Sequence, residues 1–109
     1  MRVLLVALTL FGFASPAFSQ TAVFGSITLI RTGWNSDSFA IVTQEPIQNP
    51  AGCTTPDGYI SEKTLPGYNT YYAAALTAYA AKVPVVGITI HNTECFAGRP
   101  KLIGINLQK

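Results

Sequence analysis

The fold is decided by residues 68–91, which read YNTYYAAALTAYAAKVPVVGITIH. The alanine-rich first part predicts a helix over residues 68–82, with Asn69 as its N-cap and Pro84 as its stop. Directly after it, apolar and polar or small residues alternate over 85–91, and this period of two is typical of a half-buried strand. The chain therefore passes from its one convincing helix straight into a strand.

The two faces of the predicted helix differ in side-chain size. At 3.6 residues per turn the larger side chains fall within one arc, which we expect to lie on the sheet. That arc contains Tyr71, Tyr72, Ala75, Leu76 and Tyr79. The opposite arc, small and uncharged, contains Ala73, Ala74, Thr77, Ala80 and Ala81. Two interpretations of the small arc stay open: a solvent-exposed face of high helix propensity, or an interface where small residues let neighbouring helices of an oligomer approach.

Strand patterns flank the helix on both sides. Alternation over 23–32 and 39–43, across a turn-rich stretch, predicts a hairpin, and a brief third strand follows at 59–60. Beyond the strand at 85–91, residues 102–107 predict a closing strand with Ile103, Ile105 and Leu107 on one face. Short strands interrupted by one helix predict a mainly β domain, a small Greek-key barrel of the OB type with the helix between its third and fourth strands. An open α+β sandwich is the alternative.

The N-terminal residues 1–19 have the pattern of a secretory signal peptide. Arg2 precedes an apolar run over 3–14, and Ala17 and Ser19 are the small residues expected before a cleavage site. The run is shorter than the roughly 20 residues of a membrane-spanning helix, although an N-terminal anchor is the alternative. We therefore expect a secreted or periplasmic protein with one domain, residues 20–109, and no membrane span.

The composition of the 109-residue chain limits the classes of function. Hydrophobic residues make up 49% and charged residues only 11%, so the chain is not of the disordered class. The formal net charge of +2 gives a nucleic acid little to bind. We expect a single folded domain that has no nucleic-acid partner.

Two cysteines, Cys53 and Cys95, are present in the whole chain. In an oxidising compartment they are expected to pair in one disulfide, which would stabilise a domain of this size by about 4 kcal/mol. The alternative is a reactive thiol or a metal ligand, for which His91 is the neighbour of Cys95 in sequence. No further ligand is spaced for a metal, so the disulfide is the prediction.

Motifs for catalysis are missing from the sequence. It has no serine nucleophile elbow, no glycine-rich phosphate loop and no metal-ligand cluster. Glu45, Asp57, Glu62 and Glu94 could in principle supply a carboxylate pair, which keeps an exported hydrolase as a third class of function. His91 ends a strand and is expected to make an ordinary hydrogen bond. We therefore expect neither catalysis nor a cofactor.

Trp34 lies in the predicted hairpin turn, beside the polar residues 35–37. A flat apolar ring with a polar rim is the kind of surface that a sugar or a protein partner contacts. A tryptophan folded back over the end of the barrel is the alternative. We include Trp34 among the candidate binding residues.

The helix and the strand after it resemble the receptor-binding B subunits of subtilase cytotoxin and typhoid toxin, which are relatives of the pertussis toxin B subunits. The residues that carry the resemblance are Thr70, Tyr72, Ala75, Leu76, Tyr79, Pro84 and Val85, with Thr32 and Gly33 after the first strand. The succession of helix, strand, cysteine-bearing turn and closing Ile/Leu strand also looks like the end of the cholera toxin B subunit. The resemblance covers most of the chain after residue 19.

The resemblance implies an OB-fold protomer in a ring of five, with each helix lining the central pore and a glycan pocket on each barrel flank. In the family the sugar contacts come from a serine near the start of strand one and an aromatic in the strand after the helix. The nearest serine here is Ser26, and the aromatic position holds Thr89.

Taken together, the sequence predicts a secreted lectin-like subunit that recognises cell-surface glycans and leaves catalysis to a separate A subunit. The candidate glycan-binding residues are Ser26, Thr28, Trp34 and Thr89. The candidate oligomer interface comprises Ala73, Ala74, Thr77 and Ala81. The alternative function is a small exported structural or inhibitor-like interaction protein that does not bind glycans.

Overall fold

The computed structural model describes residues 19–33 and 37–108. Within these ranges the chain forms six strands and one helix. The elements are β1 (Gln20–Gly25), β2 (Ile27–Thr32), β3 (Ser38–Thr43), β4 (Tyr59–Glu62), α1 (Tyr68–Ala80), β5 (Val86–Phe96) and β6 (Arg99–Leu107). The prediction of a mainly β fold with one helix is confirmed. Trp34 and the predicted signal peptide, apart from Ser19, lie outside the described residues.

One six-stranded sheet has the order β1-β5-β6-β4-β3-β2. Its pairs are antiparallel except for β4 and β6, which run parallel and meet at Ile60 and Lys101. The two edge strands, β1 and β2, are consecutive in the chain, with only Ser26 between them. The chain itself therefore connects the two edges of an unclosed sheet, and the helix between β4 and β5 completes an OB-like arrangement.

The first predicted strand, 23–32, is divided at Ser26, which the alternation of side chains did not indicate. The side-chain carboxylate of Glu45 accepts a hydrogen bond from the Ser26 backbone N–H at 3.0 Å. A Cβ atom on Gly25 would overlap this carboxylate. Glycine therefore leaves the space that Glu45 needs in order to hold the bend between β1 and β2.

The core lies between the inner face of the sheet and α1. Its fully buried members include Phe39, Ile41, Tyr59, Ala75, Val86, Ile88, Ile90 and Leu102. The predicted core face of β5 is confirmed, and that of β6 is confirmed only in part. Ile105 pairs with Ile88 and packs against the core, whereas Leu107 is exposed. A register shift lets Ile90 pair with Leu102, so Leu102 is buried where the pattern placed Ile103.

The helix ends differ from the prediction. α1 ends at Ala80, and Lys82 follows it with a left-handed φ of 53° instead of lying in the last turn. At the other end Gly67 is the N-cap and no side chain caps the helix, so the assignment of Asn69 is wrong. The backbone carbonyl of Gly67 accepts the N–H of Tyr71, which leaves the start of the helix to backbone hydrogen bonds alone.

The predicted sheet-facing arc of α1 is only partly correct. Ala75 and Ala78 are buried, but Leu76 and Tyr79 are 42% and 48% exposed. Small side chains at the two buried positions let the helix lie close to β2 and β6. Nearer the N-terminus of the helix, Tyr72 is half-buried, and the centroid of its ring lies 5.0 Å from that of Phe39.

The segment between the strands predicted at 85–91 and 102–107 forms a tight hairpin that the predicted disulfide holds. β5 continues to Phe96 and β6 begins at Arg99, so Ala97 and Gly98 alone form the turn, at φ values of 49° and 76°. Cys53 and Cys95 form the predicted disulfide, with Cα atoms 5.8 Å apart. The bond attaches the 46–58 loop to this hairpin. In the described part of the chain, no helix has the length and apolarity needed to cross a membrane.

Candidate functional site

Ion pairs connect residues of β2, β4, β5 and β6 with the 46–58 loop and with one another. Asp57 pairs with both Arg31 and Arg99, and its bond from Arg99 holds the pKa of the Asp57 carboxyl below its ordinary value. Lys101 contacts Glu62 at 3.0 Å and Glu94 at 3.3 Å. These hydrogen bonds, the one to Glu62 first, raise the pKa of the Lys101 ammonium. These charges are therefore largely neutralised within the chain.

Two charged side chains stand apart from this network. Neither Glu45 nor Lys82 forms an ion pair with another residue that the structure describes. Glu45 holds the backbone of Ser26, and Lys82 lies just beyond α1. The charges left for a partner thus flank the bend between β1 and β2.

A cleft of about 430 Å³ opens between this bend and the C-terminal end of α1. The residues that line it are Ser26, Ile27, Tyr79, Ala80, Lys82 and Val83. The bend brings Ser26 to one side, and the rotation of the helix that buries Ala78 turns Tyr79 out on the other. The cleft therefore results from the bend at Ser26 and from the exposed position of Tyr79. The sequence had predicted a straight strand and a tyrosine facing the sheet instead.

The cleft combines three kinds of chemistry in one place. Tyr79 supplies an aromatic surface with a hydroxyl at its tip, and Ser26 supplies a second hydroxyl. Lys82 supplies a positive charge that forms no ion pair with a carboxylate of the described residues. An apolar body with a few polar groups at its rim is typical of small-molecule sites. The arrangement can bind and orient a ligand through these three groups.

The predicted glycan-binding residues do not all meet in the cleft. Ser26 lines it, whereas Thr28 is exposed on β2 and donates its hydroxyl to the Val42 carbonyl at 3.2 Å. Thr89 pairs with Ala22, four residues before Ser26. At about 3.3 Å per residue this places Thr89 roughly 13 Å away along the strand. Three of the four candidates are thus described, and one of them lies in the cleft.

Sequence reasoning did not assign Tyr79 and Lys82 to a binding site. The apolar pattern placed Tyr79 in the buried arc, because alanines on every side of α1 leave the hydrophobic periodicity shallow. Lys82 did carry a usable signal. It is the first charged residue after the uncharged stretch 64–81, so the surface of the helix changes from uncharged to positively charged at this point.

The predicted interface residues lie largely on the outside of α1. Ala73, Thr77 and Ala81 are exposed, and Ala74 is half-buried. The Thr77 hydroxyl donates to the Ala73 carbonyl at 2.8 Å, so it already has an acceptor within the helix. This face therefore offers small side chains without charge to whatever approaches it.

The other candidates for chemistry have structural partners. His91 accepts the backbone N–H groups of Thr93 and Glu94 on Nδ1, each at 3.1 Å. In the residues that the structure describes, no group of three His, Cys, Asp or Glu side chains could hold a metal ion. Comparisons with models of protein families, with curated proteins and with solved structures find no match to this chain. The case for a function therefore rests on the cleft and the surfaces around it.

Proposed function

We propose that the protein is an exported carbohydrate-binding subunit that acts as a ring of identical copies and has no catalytic activity of its own. The observation that carries the proposal is the cleft in which Ser26, Tyr79 and Lys82 face one solvent-open space. Export is supported by the disulfide between Cys53 and Cys95, because such bonds persist in oxidising compartments. The OB-like fold agrees with the toxin B subunits that the sequence resembles.

A sugar matches the cleft because it has apolar ring faces and hydroxyl edges. The Tyr79 ring offers an apolar surface for the face of the sugar ring, and the Ser26 hydroxyl can form a hydrogen bond with a sugar hydroxyl. A cation at Lys82 favours sugars that carry a negative group. Each hydrogen bond contributes only about 0.5–1.5 kcal/mol, so one shallow cleft binds weakly. Several copies bound together would supply the missing affinity through their high effective concentration.

A ring of five copies, with α1 turned toward the axis, would provide this multivalency. Support comes from the helix, which has no acidic residue in its first turn and no basic residue in its last. Its exposed residues Ala73 and Thr77 allow close approach of a neighbouring backbone, and a closed ring lets every copy use the same contact. A separate catalytic A subunit would then be the partner that such a ring delivers.

The cleft can be tested with a glycan array and single substitutions. For a glycan that the wild-type protein binds, Ser26→Ala and Tyr79→Ala should each weaken binding by roughly 3- to 10-fold, as loss of one modest contact does. Thr28→Ala is the matched control, because this exposed threonine lies outside the cleft. A loss caused by Thr89→Ala but by neither cleft variant would move the site to the barrel flank, and a blank array would remove glycan binding altogether.

The alternative, an exported interaction protein that binds no glycan, is favoured by a different surface. Phe24, which pairs with Gly87 of β5, is 59% exposed, and Val85, which directly precedes β5, is 53% exposed. Exposed apolar side chains that lie together mark protein contacts. A blank glycan array, together with a stable complex that Phe24→Ser disrupts, would support this function instead.

A further inference from the structure

A second, smaller cavity lies between β3 and the loop that the disulfide holds. Its volume is about 170 Å³. The residues that line it are Ile41, Val42, Thr43, Glu45, Ile47, Pro56, Asp57, Gly58 and Tyr59. None of them lines the cleft at Ser26, although Glu45 accepts the backbone N–H of Ser26 and so connects the two spaces.

The walls of this cavity are mainly apolar. Ile41 and Tyr59 are fully buried, and Ile47 and Val42 are half-buried beside them. The Tyr59 hydroxyl accepts the backbone N–H of Gln48 at 2.8 Å, which fixes the ring at the wall. An apolar cavity of about 150 Å³ in a protein can hold a benzene molecule, so the space fits a ligand of about six non-hydrogen atoms.

The two carboxylates that line the cavity differ in what they can still bind. Asp57 is occupied, because its oxygens accept hydrogen bonds from Arg99 and Arg31. Glu45 has no cationic partner in the described chain, and its Oε2 accepts only the Ser26 N–H. The pKa of Tyr59 is raised, first by burial and also by the negative charge of Glu45. The charge of Glu45 is therefore felt at the cavity wall.

We propose that this cavity binds a short primary alkylammonium ion, with its ammonium group at Glu45 and its alkyl chain against Val42, Ile47 and Pro56. Glu45 is exposed, and the ammonium group would supply the ion pair that it lacks among the described residues. The alkyl chain, of about four or five carbons, fills the volume and displaces water from apolar walls. A metal ion fits poorly, because calcium and magnesium require about six oxygen ligands and this cavity has one available carboxylate.

The proposal can be tested by following the backbone amide NMR signals of the protein during titration with n-pentylammonium chloride. We expect shifts confined to residues 41–47 and 56–59, with a dissociation constant of roughly millimolar for so small a ligand. n-Pentanol, which has the same chain without the charge, should bind roughly two- to fivefold more weakly, because Glu45 is exposed and solvent screens its ion pair.

Glu45→Gln is the decisive variant, because its amide oxygen can still accept the Ser26 N–H while the charge is gone. An unchanged spectrum away from the cavity shows that the variant is folded. Its affinity for n-pentylammonium should fall roughly two- to fivefold, to the level of n-pentanol. The proposal is overturned if the wild-type protein shows no shifts at about 100 mM ligand, or if Glu45→Gln binds n-pentylammonium as well as the wild type does. Tyr79→Ala should leave this titration unchanged, so a failed glycan test does not affect the result.

Discussion

Asp57 is the residue on which two arginines converge, and it links the 46–58 loop to β2 and β6. Asp57→Asn should lower the free energy of unfolding at pH 7 by about 1 kcal/mol or less, because the pairs are partly exposed and screened by solvent. The pKa of Asp57 is lowered in the folded chain, so its stabilisation is present above the ordinary carboxyl pKa. The difference between variant and wild type should therefore disappear as the pH falls through the lowered pKa. Urea unfolding between pH 7 and pH 2 measures it.

Asp37→Asn is the matched control for Asp57. Asp37 pairs with one lysine, Lys63, and both side chains are largely exposed to solvent. We expect no measurable change in the urea midpoint for this variant, since exposed single pairs contribute little. Equal losses for both aspartates, or a loss at Asp57 that does not change with pH, would contradict the account given for Asp57.

At the scale of single residues, the sequence predicted those features whose cause is local. The disulfide followed from the presence of two cysteines and a predicted signal peptide, whereas the bend at Ser26 interrupts the strand that the alternation predicted. The positions of Tyr79 and Lys82 depend on how far α1 rotates over the sheet, and this depends on contacts made by other elements. The sequence shows that Glu45 is charged, but it does not show that Glu45 forms no ion pair with the other described residues.

The β5–β6 hairpin contains a strained turn. Ala97 adopts a φ of 49°, where a side chain costs about 1–2 kcal/mol and glycine costs much less. Ala97→Gly should therefore raise the free energy of unfolding by roughly 0.5–1 kcal/mol after the greater flexibility of glycine in the unfolded chain is subtracted. Denaturant unfolding at constant pH provides the measurement.

The same exchange at Ala22 is the control for the hairpin turn. Ala22 is an exposed residue in β1, where φ is negative and glycine brings no relief. Ala22→Gly should destabilise the protein by roughly 0.5–1 kcal/mol, the opposite sign to Ala97→Gly. If both variants are destabilised, the turn is not strained in the way that its φ value indicates.

At the scale of elements, periodicity predicted the identity of each strand better than its ends or its register. The pairing of Ile90 with Leu102 follows from a register shift in β5 and β6, and a shift of one residue exchanges the two faces of a strand. The sequence pattern of β6 favours the face of Ile103 and Ile105 and gives no sign of the shift that buries Leu102. The helix was predicted from its composition, but its abundant alanines gave no clear indication of which side is buried.

The proposed ring can be tested by adding charge to the exposed face of α1. Ala73→Glu and Ala81→Glu would each bring like charges together around the axis, and their repulsion in a partly desolvated setting should dissociate the ring. Ala73→Ser and Ala81→Ser are the controls, since they change size and polarity slightly without adding charge. Native mass spectrometry reads the assembly directly. A mass of about 10 kDa for the unmodified protein after removal of residues 1–19, at micromolar concentration, would refute the ring.

The disulfide also shortens the covalent path between residues that are far apart in the sequence but in contact in the fold. The parallel pairing of Ile60 with Lys101 joins the β1-β5-β6 half of the sheet to the β4-β3-β2 half, and these residues are 41 positions apart. With the disulfide formed, Ile60 is seven positions from Cys53, and Lys101 is six positions from Cys95, to which Cys53 is bonded. Contacts between distant residues slow folding, because the intervening loop must first be closed. Oxidation before folding thus converts the pairing that unites the two halves into a nearly local contact, and the effective contact order of the whole topology falls.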